Sequence, residues 1–352
     1  KTKNNQTDND DLYKIYWEDT KMEFSATAGT AGGSLKALFE VRDGDNLENF
    51  KGKVTKADSY SLTVENISID NIKSLNLPDK DGKITVNNIS YSYDSWEAQV
   101  DAQGNIKSVT FNLSKDKAIA DPEKTVAEGY LLNAGSAINA RGIPYYMTQL
   151  NEFVRNFSEM FNQIESKGQN LNGDTPPTFF EAITNTAKVY DFSESEAYSK
   201  LPDGQTATIN SSSNTYYRMT AANFSVNKDV MNDVSLFATS TDYVKTDSCD
   251  IVDELKKLQS EKTVYRGDKA ESFLETIISN VSVDTEKAET YNKLYSNLEQ
   301  TIANQRTSVS GVDEDEEALN LVKFQYSYNM ASKIISVMNQ MLDKLINDTG
   351  VA

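Results

Sequence analysis

The stretch from Asp313 to Asn347 constrains this chain more than any other. It contains neither Pro nor Gly. Apolar residues fall at Leu321, Phe324, Tyr328, Ala331, Ile335, Met338, Leu342 and Leu345. Their steps alternate between three and four, the spacing of a coiled-coil seam. A second stripe runs beside it through Met330, Ile334, Val337 and Met341. Two adjacent stripes cover too wide an arc for one partner, so this helix calls for several neighbours. Periodicity alone leaves two readings open: the core helix of a globular domain, and a helix that packs in an assembly.

With 352 residues the chain has room for two or three domains. Its net charge of −18 argues against nucleic acid and anionic membranes, because phosphate binding needs clustered Lys and Arg. No run of eighteen apolar residues occurs, so no segment reads as inserted in a membrane. The 18 Tyr and 14 Phe, with the long periodic stretches, are enough to build cores. Histidine is absent, which removes the commonest general base and metal ligand. The single cysteine, Cys249, excludes an intrachain disulfide and a cysteine-based zinc site, and reads as a small packed residue ahead of a helix. Such usage suits a cytosolic protein, and equally one that bacteria export unfolded. The polar opening from Lys1 carries no signal peptide pattern and reads as a processed end or the edge of a fragment.

Along the chain the hydrophobic period changes. Leu12 to Trp17 reads as a strand, and Ala28 to Gly33 as a flexible link, after which Ser34 is placed to cap a short helix with Leu35, Leu38 and Phe39. From about Phe50 to Leu113 the period is two, with turns at Pro78–Gly82 and Ala102–Asn105, which predicts a small antiparallel β domain inserted between helices. Pro144 suits a first helical turn, and Tyr146, Leu150, Phe153, Phe157, Met160 and Ile164 form its seam, with a stop at Lys167-Gly168. Asn170 to Pro177 is turn-rich. Tyr216–Met219 and Asn223–Val226 read as short strands, and Asp229–Thr239 as irregular or a short helix. A long seam from Leu274 to Ile302, broken in type only at Asp284, predicts a rod ending at Thr307–Val312. Asp313 is then the N-cap of the last helix, with Glu316 as capping-box partner and Asp313–Glu317 at the positive end of its dipole.

The expected fold class is therefore α+β and multi-domain: a long antiparallel helical rod, or coiled-coil core, with an inserted small antiparallel β domain. The expected divisions are 1–45 for the first part of the rod, 46–133 for the lateral β insertion, 134–248 for a rod helix and mixed segment, 249–310 for rod helices, and 311–352 for the terminal helix.

Motifs for chemistry are sparse. Asp79-Lys80-Asp81-Gly82 resembles the start of a calcium loop, but position twelve is Ser90, so it reads as a turn, as does Asp43–Asn46. The acidic run Asp313–Glu317 reads as a solvated helix start. No P-loop, dinucleotide fingerprint or nucleophile elbow occurs. No catalytic, cofactor or metal residue is assigned, and no enzyme activity is expected.

Ser308-Val309-Ser310-Gly311-Val312, then Asp315–Ala318 and Leu321–Gln325, then Tyr328 through Ala331–Ile335 to Met341–Leu345, resemble the C-terminal signature of bacterial flagellar axial proteins. Gly33–Asp43 is similar to a Gly-Gly-x-Leu-x-x-Leu-x-x-x-Arg-Asp stretch of the hook-associated protein 1 family, and Tyr145–Asn162, Leu171–Gly173, Phe179-Phe180 and Ala222–Asn227 follow in that family's order. The resemblance implies a structural adaptor that joins hook to filament by head-to-tail polymerisation. It implies type III export without a cleaved signal and an extracellular flagellar location. Its partners would be the flagellar hook protein, hook-associated protein 3, neighbouring copies of the chain and an export chaperone, with no cofactor. The twelve residues of the two stripes, Leu321, Phe324, Tyr328, Ala331, Ile335, Met338, Leu342 and Leu345 with Met330, Ile334, Val337 and Met341, would be the packing surface. The family's N-terminal helix has no counterpart before Gly32, so the chain is expected to be a fragment whose last helix is poorly ordered or packed elsewhere in isolation. Two alternatives stand beside this reading. One is another axial protein, hook-associated protein 3 or flagellin-like. The other is a surface glycan-binding module in the β insertion, for which solvent-exposed aromatics such as Trp96 are the feature to check.

Overall fold

A computed structural model of the chain describes residues 18–20, 24–78, 82–114, 119, 122, 126, 128–184, 186, 188–244, 248–260, 263–265 and 268–348. The strand read at Leu12–Trp17, and residues 79–81 of the turn read at Pro78–Gly82, lie outside the described residues. The chain divides into two compact units, Lys1–Ile278 and Ser279–Ala352. It mixes α and β structure, as the period changes predict.

The first unit opens on helix α1 (Gly33–Asp43). This helix starts from the extended backbone of Gly32 without a side-chain cap, so Ser34 lies inside its first turn and does not cap it. Six antiparallel strands follow: β1 (Lys51–Asp58), β2 (Ser61–Glu65), β3 (Gly82–Val86), β4 (Ile89–Val100), β5 (Ile106–Leu113) and β6 (Leu131–Ala134). They run in the order β3-β6-β1-β2-β5-β4, and β3 also pairs with β4, so the sheet closes on itself as a barrel. Alternation puts Leu62, Val64, Ile84, Trp96, Val109 and Phe111 inside, each at 0% exposure. Phe111 meets Phe50 edge-on at 5.4 Å and Tyr93 at 5.0 Å. Period two announces strands but not closure, which rests on pairings between distant segments.

Local chemistry makes the corners. Asn87 and Asn88 both take positive φ (49° and 62°) in the two-residue turn from β3 to β4, a conformation asparagine tolerates. Gly82 faces Tyr93 across that pair, and a Cβ there would lie 2.0 Å from the tyrosine ring. The barrel leaves and rejoins the helical part at one neck. Gly142 N–H donates to Gly44 O at 3.0 Å, and Asn46 N–H to Ala140 O at 2.9 Å. A Cβ on either Gly44 or Gly142 would come within 2.4 Å of Glu40 O, so the close crossing needs both glycines. The Asp43–Asn46 turn read from the sequence is one side of this neck. Asp45 Oδ1 accepts the N–H groups of Leu47 and Ile138 at 2.9 and 3.0 Å, which holds it closed.

Helix α2 (Ile143–Glu165) starts with Pro144 in its first turn, as expected. After it come β7 (Phe180–Ala182), α3 (Ser193–Ser199), β8 (Ala207–Asn210), β9 (Phe224–Val226), α4 (Lys228–Asn232), α5 (Asp250–Ser260), β10 (Thr263–Tyr265) and β11 (Asp268–Lys269). β7 pairs with β9, and β10 with β11. β8 pairs with the far half of β4, Glu97–Val100, beyond the part that β3 occupies. Tyr216–Arg218, read as part of a strand, is a 3-10 turn. Its backbone closes on itself, with Arg218 N–H on Thr215 O and Met219 N–H on Tyr216 O. Cys249 is exposed and not packed, because it stands at the outer start of α5, its carbonyl taking the Asp253 N–H.

The remaining helices are α6 (Ala270–Ser310), which begins in the first unit, and α7 (Glu314–Asn347). The sequence places the break at Thr307, but α6 runs on to Ser310. Thr307 and Ser310 stay helical by bonding back to Ala303 O and Arg306 O at 3.0 and 2.8 Å. From Ser279 to Asp348 no residue is buried, so the coiled-coil core expected of a helical rod is not formed by this unit. Nor is α7 irregular: it is continuous over 34 residues. No helix among the described residues is long and apolar enough to cross a membrane.

Candidate functional site

α7 owes its start to Asp313. Its carboxylate accepts the N–H groups of Asp315 (3.0 Å) and Glu316 (3.4 Å), while four acidic residues fill the first turn and Lys344 sits in the last. Both ends thus complement the helix dipole, and the body, free of Gly and Pro, propagates. On this frame the two predicted stripes are laid out in full. Leu321, Phe324, Tyr328, Ile335, Met338, Leu342 and Leu345 are exposed, with fractions from 52% to 75%, and Ala331 is exposed with them. Met330, Ile334, Val337 and Met341 lie open beside them, at 49% to 65%. The structure therefore brings all twelve residues onto one helix and leaves all twelve exposed to water. Isolated exposed apolar residues are ordinary; a continuous exposed stripe of this length is not, which makes α7 the candidate site.

Other exposed apolar surface occurs on α6, at Tyr291, Leu294, Tyr295, Leu298 and Ile302. A shorter stripe, Leu35, Leu38 and Val41, lies exposed on α1. The sequence shows these α1 residues to be apolar but gives no sign that their face stays open. A shallow apolar cleft of about 330 Å³ lies among Phe179, Val226, Val230, Met231, Val234 and Phe237. Its residues come from β9, α4 and the turns around them, too scattered along the chain for a periodic signal.

α2 is the opposite kind of helix. One face, with Tyr146, Leu150, Phe153 and Phe157, packs on Ala270, Phe273 and Ile277 of α6. Phe157, Met160 and Phe161 meet Ile251, Leu255 and Leu258 of α5. Its other faces bury Gln149, Glu152, Arg155, Glu159, Asn162 and Glu165. Arg155 donates to Lys73 O (2.8 Å), Leu75 O (2.7 Å) and Met219 O (2.8 Å), and its guanidinium lies 4.6 Å from the Tyr217 ring centre. Tyr217 in turn donates its hydroxyl proton to Leu77 O at 2.6 Å and stands edge-on to Trp96. Glu159 forms an ion pair with Lys73. The barrel is thereby bolted to α2 by satisfied buried polar groups. Asn162 acts like a strand residue: its side-chain amide exchanges two hydrogen bonds of 2.9 Å with the Phe180 backbone, tying the β7–β9 pair to the same helix.

Glu165 closes α2. Burial pushes its carboxyl up to about 7, against the opposing pull of the Ala238 N–H that it accepts at 3.2 Å. At the start of α5, Asp250 is held well below the usual carboxylate range, chiefly by the Thr241 hydroxyl, with further bonds from Thr241 N–H and the Ser248 hydroxyl. These two carboxylates serve as bolt and cap, engaged by backbone N–H and hydroxyl donors. Trp96, the aromatic named for the glycan-binding reading, has 0% exposure inside the barrel. Trp96 therefore gives that reading no support, while Tyr60 and Tyr130 of the same region are exposed.

Comparison with known proteins agrees with the resemblance read from the sequence. Residues 303–348, which include all of α7, match the family described as flagellar basal body rod FlgEFG protein C-terminal. Over 341 residues, 95% of this chain, the sequence is 21% identical to flagellar hook-associated protein 1 of Bacillus subtilis (strain 168). The chain spans 56% of that relative's length.

Proposed function

We propose, from the similarity to a flagellar hook-associated protein, that this chain is a structural subunit of the hook–filament junction. The single observation that carries the proposal is α7: the segment matched to an axial-protein family is also the one whose apolar stripes stand exposed. In this reading the twelve stripe residues pack against terminal helices of neighbouring copies and of adjoining axial proteins, head to tail, so that the array grows in one direction. The barrel then stands as a lateral domain held firmly by α2. Hook protein would lie on one side and hook-associated protein 3 on the other, and an export chaperone would shield α7 before assembly at an extracellular site. A place elsewhere along the flagellar axis is the alternative within the class.

Deleting the gene and viewing the cells by electron microscopy tests the proposal. Hooks without filaments, with flagellin shed into the medium, are expected. Normal filaments on the deletion strain would overturn it.

A further inference from the structure

We infer that segment 238–241 is a proton-controlled clasp on the end of α2: it stays shut over Glu165 while that carboxyl is neutral and opens more often, without unfolding of the barrel, once the carboxyl is ionised. The geometry carries this independently of the flagellar reading. Glu165 is the last residue of α2 and is 1% exposed. Its Oε1 accepts the Ala238 N–H at 3.2 Å, while Oε2 is buried and has no hydrogen-bond partner among the described residues. Two more bonds close the clasp. Gln169 N–H donates to Ser240 O at 2.9 Å, and Tyr243 N–H to Gln169 Oε1 at 3.3 Å. The segment lies flush on the turn that ends α2, where a Cβ at Gly168 would come 2.6 Å from Ala238 Cβ and 3.1 Å from Ser240 O. Ala238 and Ile251, both buried, wall that turn.

Charge decides when the clasp opens. A neutral carboxyl tolerates an oxygen without a partner, whereas an ionised one sets an unpaired charge against apolar walls. Among the described residues no cation offsets it. On α2, Glu159 is paired with Lys73, and Lys167, just beyond the helix, is exposed. Asp242, next to the clasp, accepts the Val244 N–H. On α5, Asp250 is held by Thr241 and Ser248, Glu254 pairs with Lys257, and Asp253 and Lys256 are exposed. Burial and the Ala238 bond are what act on the Glu165 carboxyl, and burial wins, raising it from 4.5 to about 7. With the clasp open the carboxyl meets water and keeps its ordinary 4.5, so the shut form holds the proton more tightly. Closure is strongest below pH about 4.5, weakens about tenfold per pH unit toward 7, and levels off above. Opening also unseats one wall of the apolar cleft, because Phe237, next to Ala238, meets Phe179 edge-on at 5.6 Å.

Amide hydrogen exchange of the full chain tests this, read at Ala238 and Gln169 and corrected for the intrinsic effect of pH on exchange. Their protection is expected to fall on the order of a hundredfold between pH about 5 and about 8. They should exchange faster than the amides of β2 and β5 at every pH, and should ignore low urea that speeds exchange in the barrel, as local opening requires. Glu165→Gln, which keeps an acceptor but no ionisable group, should hold the protection of both amides constant across that range. Glu165→Ala, which removes bond and charge together, should also give a flat profile, at lower protection. Constant protection in the unmodified chain would overturn the inference. So would exchange at Ala238 and Gln169 that matches the barrel amides in rate and in urea dependence, since that is global unfolding. A fall of the same size in the Gln variant would overturn it as well, by assigning the proton to another group.

Discussion

In α2 the polar side of a helix is inside, and in α7 the apolar side is outside. Arg155, Glu159 and Asn162 are each under 8% exposed, while Phe324, Tyr328 and Leu321 are each at least 70% exposed. Both patterns look wrong for a helix on the surface of a monomer. In α2 the explanation lies within the chain, since barrel carbonyls, Lys73 and the Phe180 backbone supply partners to every group named. In α7 no described residue supplies such a partner, and the stripes face water along their whole length. The contrast teaches that the pattern of a helix does not say which of its faces is covered; the surrounding fold does.

Arg155→Ala should strain the comparison most. It removes three hydrogen bonds to buried carbonyls and exposes the Tyr217–Trp96 contact beneath, with an expected cost of about 4 kcal/mol in urea unfolding. Arg155→Lys should recover little of it, because one ammonium cannot span the same carbonyls.

Next comes Glu165. Its carboxyl is raised from 4.5 to about 7 in the folded chain, so the folded state holds that proton more tightly than the unfolded one. The associated stability is full below pH about 4.5, is lost as pH rises to about 7, and is flat above. The whole change is on the order of 3 kcal/mol. Glu165→Gln should flatten that slope in unfolding titrations while leaving stability near pH 4 unchanged. An unaltered slope would show that another group sets it.

Gly142→Ala should cost about 2 kcal/mol, because the new Cβ meets backbone oxygen atoms that cannot swing away. Thermal melting followed by tyrosine fluorescence measures this directly. Tyr328→Ser on α7 should change unfolding of the isolated chain by less than about 0.5 kcal/mol, yet abolish function in the deletion strain. A large stability loss there would mean that the stripe is already covered, and the contrast with α2 would fail.

The long periodic helices are what the sequence states most openly. The seam of α2, the continuity of α6 and the Asp313 cap of α7 all follow from spacing and end signals. So do the β4–β5 hairpin and its Gly104 turn at φ 78°. Closure of the barrel was not legible, because β1–β6 and β3–β6 join segments separated by long stretches of chain. Nor was the burial of Trp96, since strand alternation gives two faces without saying which is inside. The buried polar face of α2 was hidden for a related reason. Arg155 and Glu159 have the composition of a solvated face, and only the carbonyls that arrive from residues 73–75 and 219 make them interior. The two stripes of α7 follow from spacing alone, but their exposure is a fact of three dimensions.

β8 bears on the order of events during folding. Its four residues lie on β4 across more than a hundred positions of chain, with Gln99 Nε2 donating to the Thr208 hydroxyl over a separation of 109. Everything between them, the rest of the barrel, the neck and α2, must be available before that last strand can be laid. The six-strand barrel can therefore close before this last strand is available. Contacts of such high sequence separation form late and slowly. β8 extends the wall along the far half of β4, and the segment that follows it supplies Tyr217 and Met219, so finishing the wall and bolting it to α2 draw on the same late stretch of chain.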